Sequence, residues 1–239
     1  MSLLTDVTIV LLICHLLGDF HFQSQNMSDM KSQSLKILGS HLGIHALILV
    51  SSFFILFRWD GIIKNLGLLF SVWISHCIVD LIKYYLSSYR KKQLPEEILY
   101  IFDQVLHLGF LLLLSESVFH SATDLVFLNR NLINWLLLII VITKPANISF
   151  KIVFQKYQFN IESPTVPGAG AMIGNLERIL SAIFLTMNQI SAIGFIYTAK
   201  SIARFKEIEE NKAFAEYYLI GTLFSILYVV VAHYIIIVI

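Results

Sequence analysis

Charge is scarce in this chain, and so are the residues that punctuate soluble folds. Asp, Glu, Lys and Arg make up 14 % of its 239 residues against 57 % hydrophobic, and there are only 4 prolines. So little charge cannot clothe a soluble domain of this size. The 17 basic and 16 acidic side chains nearly cancel, so the balance gives no basis for a nucleic-acid partner. Two cysteines, Cys14 and Cys77, imply no disulfide framework. Both lie inside apolar segments beside His15 and His76 and read as small apolar filler. Met1 to Ile13 has no basic n-region and no small-residue cleavage site, and reads as part of a membrane helix rather than a removable signal. No internal repeat is evident.

What the chain has instead is a series of long apolar runs, with a mean hydropathy of +0.75. A hydrocarbon core of ~30 Å takes about 20 helical residues to cross, and only helices or closed barrels satisfy their backbone there. Continuous rather than alternating Leu, Ile and Phe runs select helices. The fold class is all-α: a polytopic integral membrane helix bundle of about seven to eight transmembrane helices, with lipid as its surroundings. Helices are predicted at Leu4–Phe22, Leu35–Phe57, Ile62–Leu86, Glu97–Ser115, Leu132–Phe154 and Ala215–Val238. Met172–Phe205 is too long for one comfortable crossing, and Asn188-Gln189 marks a turn between two short helices. Residues 1–120 form a four-helix membrane unit, 121–170 a fifth helix and a linker with Pro164, Pro167, Gly168 and Gly170, and 171–239 the C-terminal helices, all within one integrated membrane domain.

Basic residues orient the bundle. A hairpin turning near Asn188 puts Lys31, Lys36, Arg90–Lys92, Lys144–Lys156, Lys200, Arg204, Lys206 and Lys212 on one side, leaving Arg58, Lys64 and Arg130 on the other. The positive-inside rule then favours about eight crossings of a bacterial inner membrane, both termini outside and the basic side cytoplasmic. Each hairpin arm of about 16 residues spans roughly 24 Å.

The front half carries four pairs of metal-competent side chains at i, i+4: His15 and Asp19, His41 and His45, His76 and Asp80, Asp103 and His107. This spacing stacks both members on one helix face. Ionisable groups inside a bilayer are costly and mark a site by default. Alternating helix direction puts all four pairs in the same, cytoplasmic half of the membrane. Imidazoles mixed with carboxylates suit zinc first, then manganese or iron. Eight candidates exceed what one tetrahedral ion needs, so either two ions share them or some only orient the ligands. Gln23, one turn beyond Asp19, and Gln104 are placed to bind substrate or water. His21, His120 and His233 read as interfacial or incidental.

In the back portion, Arg178, Lys200 and Arg204 are candidates for an anionic substrate, set against ordinary ion pairing with Glu177 and Glu216. Gly221, Thr222 and Ser225 give the last helix a small-residue face suited to close helix contact.

The residues above resemble an uncharacterised bacterial family of multi-pass membrane proteins, a domain of unknown function. The motifs that carry the resemblance are His15-Leu-Leu-Gly-Asp19-Phe20-His-Phe-Gln23, Ser75-His76-Cys-Ile-Val-Asp80-Leu-Ile-Lys83, Asp103-Gln104-Val-Leu-His107, Leu176-Glu177-Arg178-Ile-Leu180, Lys200-Ser-Ile-Ala-Arg204-Phe205 and Glu216-Tyr-Tyr-Leu-Ile-Gly221-Thr222. They span nearly the whole chain and imply membership without an activity. Gly18 stands where that family often has Ala, a small-for-small exchange. A looser similarity is to bacterial membrane-bound metal-dependent hydrolases with His-x-x-x-Asp patterns on their helices.

The expectation that follows is a metal-dependent hydrolase at the cytoplasmic leaflet, acting on a lipid phosphate or other anionic amphiphile. Asp19, Asp80 or Asp103, whichever is not a ligand, is the candidate catalytic base. The alternative is a proton- or divalent-cation-coupled transporter or channel using the same residues.

Overall fold

A computed structural model describes residues 4–56, 61–89, 95–118, 129–158 and 166–239. Arg58, the Arg90–Lys92 run, His120 and Pro164 lie outside the described residues. Within them the chain is helical, with no strand: α1 (Asp6–Leu16), α2 (Gln25–Met30), α3 (Leu35–Leu56), α4 (Ile62–Tyr89), α5 (Glu96–Val118), α6 (Arg130–Ile142), α7 (Lys144–Val153), α8 (Ala169–Thr186), α9 (Ile190–Ala203), α10 (Phe205–Glu210) and α11 (Lys212–His233). Five helical stretches among the described residues are long and apolar enough to cross a membrane: Leu35–Leu56, Ile62–Leu86, Glu96–Ser117, Arg130–Val153 and Lys212–Val238. The first predicted helix and the two hairpin arms fall outside that set; α1 has 11 residues, α8 18 and α9 14. The chain divides into two compact units, Met1–Leu137 and Leu138–Ile239.

The first unit is a ring of four helices in which α1 packs on α3 and α5, and α4 packs on those same two. α1 is buried on nearly every side, from Asp6 to Leu16, so it holds the bundle rather than facing lipid. Thr5 caps its N-terminus, accepting from the Thr8 N–H, and Thr8 donates to Ser115 on α5 at 3.0 Å. Trp73 on α4 donates to the Leu42 carbonyl of α3 at 3.1 Å. Val7, Val10, Leu11 and Cys14 of α1 pack with Leu49, Leu56, Leu68, Leu69, Val72 and Leu111 into an apolar core. Cys14 is thus the apolar filler its surroundings suggested. Large apolar side chains such as Phe54, Ile63, Phe70 and Leu113 remain exposed on the outer faces, as lipid contact requires.

α1 does not run on to Phe22 as one α-helix. After Leu16 it widens into a π-helical turn, Leu17–His21, closed by the Phe22 N–H on the Leu17 carbonyl at 2.8 Å. The connector beyond holds the short α2, capped by Ser24 through the Met27 N–H.

The fifth predicted helix (Leu132–Phe154), which passes from the first unit into the second at Leu138, is broken into α6 and α7 at Thr143. Pro145 has no N–H to give the preceding turn, and its ring crowds the carbonyl four residues back. Arg178 of α8 steps into the break, donating through Nε to the carbonyl of Ile142, the last residue of α6. Its other nitrogens reach Asn147 Oδ1 at 2.6 Å, Asn175 Oδ1 at 3.0 Å and Ser225 Oγ at 3.2 Å. α8 and α9 form the expected hairpin, turning at Asn188, whose φ of 57° is the left-handed conformation Asn tolerates. α11 packs on α7 and α8; a Cβ at Gly221 would stand 3.2 Å from Phe150 Cζ, the close contact its small-residue face allows.

Candidate metal centre

All eight side chains of the four i, i+4 pairs are buried and meet at one end of the first unit. They arrive from four elements: α1 with its π turn, α3, α4 and α5. The geometry is densest around Asp19. Its Oδ1 accepts from His45 Nε2 at 2.7 Å and lies 3.4 Å from His41 Nε2 and 3.6 Å from His76 Nε2. Its Oδ2 lies 3.8 Å from His15 Nε2 and 3.5 Å from the Gln104 amide, which donates to it. The imidazoles pack on one another, His45 on His76 at 3.8 Å between centroids and His76 on His107 at 4.3 Å.

Three sets of donor atoms, each within 4.8 Å of one another, can hold an ion: His15, Asp19, His45 and His76; His41, His76 and Asp80; and Asp80, Asp103 and His107. Several of these donors lack a hydrogen bond, though Asp80 faces the cations and rings around it, with His41 Nε2 3.2 Å from its Oδ2. Nε2 of His15 and of His107, both Asp80 oxygens and Asp103 Oδ1 make no hydrogen bond although buried. Leaving such groups unpaired costs about 1–3 kcal/mol each. His107 Nδ1 bonds to the Asp103 carbonyl at 2.9 Å, so that nitrogen carries the proton and Nε2 keeps its lone pair. Fixing the second nitrogen in this way is how proteins orient imidazole ligands.

The sequence reading missed three contributors. Lys31 follows α2, and its ammonium is buried in the cluster, 3.5 Å from Asp80 Oδ1 and 3.2 Å from His41 Nε2. Burial disfavours that charge, but Asp19, then Asp80 and Asp103, outweigh it and raise its pKa. Lys83, one turn beyond Asp80, pairs with Asp103 Oδ2 at 2.9 Å. Both look in sequence like ordinary basic residues beside a membrane segment. The third is Gly18. A Cβ built on it would overlap the His45 ring, so exchange with Ala is not the neutral change its size suggests. His45 rests on bare backbone inside the π turn.

The remaining expectations divide. Gln104 is at the cluster, and Gln23 is half-buried just past the π turn. Arg178, Lys200 and Arg204 belong to the second unit and are engaged there: Arg178 in the helix break, Lys200 with Glu177 at 2.7 Å, and Arg204 with Glu207 at 3.9 Å. His21 reaches the Leu16 carbonyl at 3.5 Å, and His233 pairs with Thr186 at 2.9 Å. Neither cysteine joins a donor set among the described residues.

A family model described as a protein of unknown function (DUF3307) matches residues 7–137, the stretch that carries every donor of the cluster. No curated protein and no solved structure matches the chain.

Proposed function

The chain belongs to the DUF3307 family of proteins of unknown function, and from that premise we propose that it is a membrane-embedded metal-dependent hydrolase. One observation carries the reading: the donor atoms of His15, Asp19, His45 and His76, all buried, converge within 4.8 Å of one another, with Nε2 of His15 left without a hydrogen bond. Three imidazoles and a carboxylate suit zinc, with manganese or iron as alternatives. Such an ion supplies Lewis-acid activation of water and of the scissile group.

The chain's own residues supply the rest. Gln104 holds one oxygen of Asp19, fixing the carboxylate plane. Asp80 and Asp103 stand outside the first donor set; Lys31 and His41 engage the Asp80 oxygens, at 3.5 and 3.2 Å, whereas Asp103 Oδ1 makes no hydrogen bond and is placed to accept a proton. A lipid phosphate or other anionic amphiphile is the favoured substrate class. The cluster lies among helices read as membrane-embedded, and Lys83, its side chain 38 % exposed, adds a cation at its edge.

Lys31, Lys36 and Lys83 at the cluster's end of the first unit, against Lys64 and Arg130 at the other, favour a cytoplasmic site. Counting α1 with its π turn and the α8–α9 hairpin as crossings raises the five spans to about eight and leaves both termini outside. The apolar core beyond the cluster, from Leu11 to Leu68 and Leu111, weighs against the transport alternative, which needs a polar path through both halves.

Metal content by plasma mass spectrometry on detergent-purified protein tests the centre; a His76→Ala/Asp80→Ala variant should lose the ion. Phosphate release from lipid phosphates in mixed micelles tests the chemistry. Metal-dependent release abolished by His76→Ala is expected. Full release in that variant, or ion flux in proteoliposomes without turnover, would count against a hydrolase.

A further inference from the structure

Cations already occupy part of this cluster. Asp80 is common to two of the three donor sets, and the Lys31 ammonium lies on it, 3.5 Å from Oδ1, while also 3.2 Å from His41 Nε2. An ion taken up by either set would have to share Asp80 with that ammonium. Lys83 holds Asp103, the other carboxylate of the third set, at 2.9 Å. The set of His15, Asp19, His45 and His76 differs: among the described residues, no ammonium stands within ion-pair distance of its carboxylate.

The charge balance points the same way. Asp19, Asp80 and Asp103 against Lys31 and Lys83 leave the cluster with one negative charge in excess. One divalent ion turns this into a single positive charge, which an anionic substrate or water-derived anion offsets. A second divalent ion would leave three positive charges in a buried cluster at membrane depth, where uncompensated charge is strongly disfavoured.

We propose that the Lys31 ammonium serves as the second cation of this centre. By holding Asp80 it limits the protein to one divalent ion, bound at His15, Asp19, His45 and His76. This rests on the metal-centre reading above and adds to it a stoichiometry and the residue that sets it. Lys31 follows a capped helical turn in the connector, so its position is built into the fold.

The test is zinc per chain, measured by plasma mass spectrometry after loading and desalting, for the full-length wild type, Lys31→Met and Lys31→Met/Asp80→Asn in detergent. The expected counts are one, two and one. One ion in both the wild type and Lys31→Met would overturn the role of Lys31 and leave the metal centre standing. Two ions in the wild type would overturn it as well. No ion in any of the three would overturn the centre and this proposal together. If Lys31→Met does not fold, manganese-loaded wild type decides alone. The six-line electron paramagnetic resonance signal of an isolated ion is expected, and the spectrum of an exchange-coupled pair would overturn the proposal.

Discussion

Gly18 and His45 show how a single missing methyl group can shape a binding site. The imidazole lies against backbone that any larger residue would cover, and Nε2 thereby comes within 2.7 Å of Asp19. Gly18→Ala is expected to push the ring away and weaken metal binding by about 10- to 100-fold, the usual cost of disturbing a ligand's support. Competition with a coloured chelator would measure it, and unchanged affinity would show that His45 is no ligand. The helical secondary structure should be untouched, because Ala is a good helix former. His107 tests the same logic through its hydrogen bond. Asp103 gives it a backbone carbonyl, so Asp103→Asn should leave the ring in place and lower turnover far more than metal affinity if the carboxylate is the base.

Helices explain what could be read from sequence and what could not. The four i, i+4 pairs were legible because helical periodicity fixes which side chains share a face, and alternating direction then brings the four faces to one depth. The hairpin at Asn188 was legible as a polar interruption in an apolar run. Lys31 was not, because a connector has no periodicity from which to deduce where a side chain folds back. The break at Thr143 was available in principle, since Pro145 excludes an uninterrupted helix, but an otherwise continuous apolar run masks it. Arg178 reads in sequence as a candidate for an anionic substrate or an ordinary ion pair, whereas the fold engages it with the Ile142 carbonyl, two asparagines and Ser225. Arg178→Leu should therefore lower the stability of the second unit by about 2–4 kcal/mol, the range for breaking a buried polar network. A thermal melt in detergent would register this. Metal content should be unchanged, because every donor lies in the first unit. Loss of the ion in this variant would contradict the separation. Lys should not rescue position 178, since it lacks the planar fork that serves several acceptors at once.

For the molecule as a whole, five spans with apolar outer faces predict that the protein stays in the pellet when membranes are washed at alkaline pH and is released only by detergent. Release by alkali alone would refute an integral protein. Within the first unit the donors lie at one end, and the apolar core of Leu11, Leu49, Leu68, Val72 and Leu111 packs beyond them. On the reading proposed above that core is a stopper, and an ion is expected to be gained or surrendered toward one compartment only. The protein's metal content would then follow the free-metal level of that compartment, however rich or poor the other. A membrane-impermeant chelator would strip vesicles of one orientation and spare those of the other. The spared orientation would identify, without any label on the protein, which way the cluster faces.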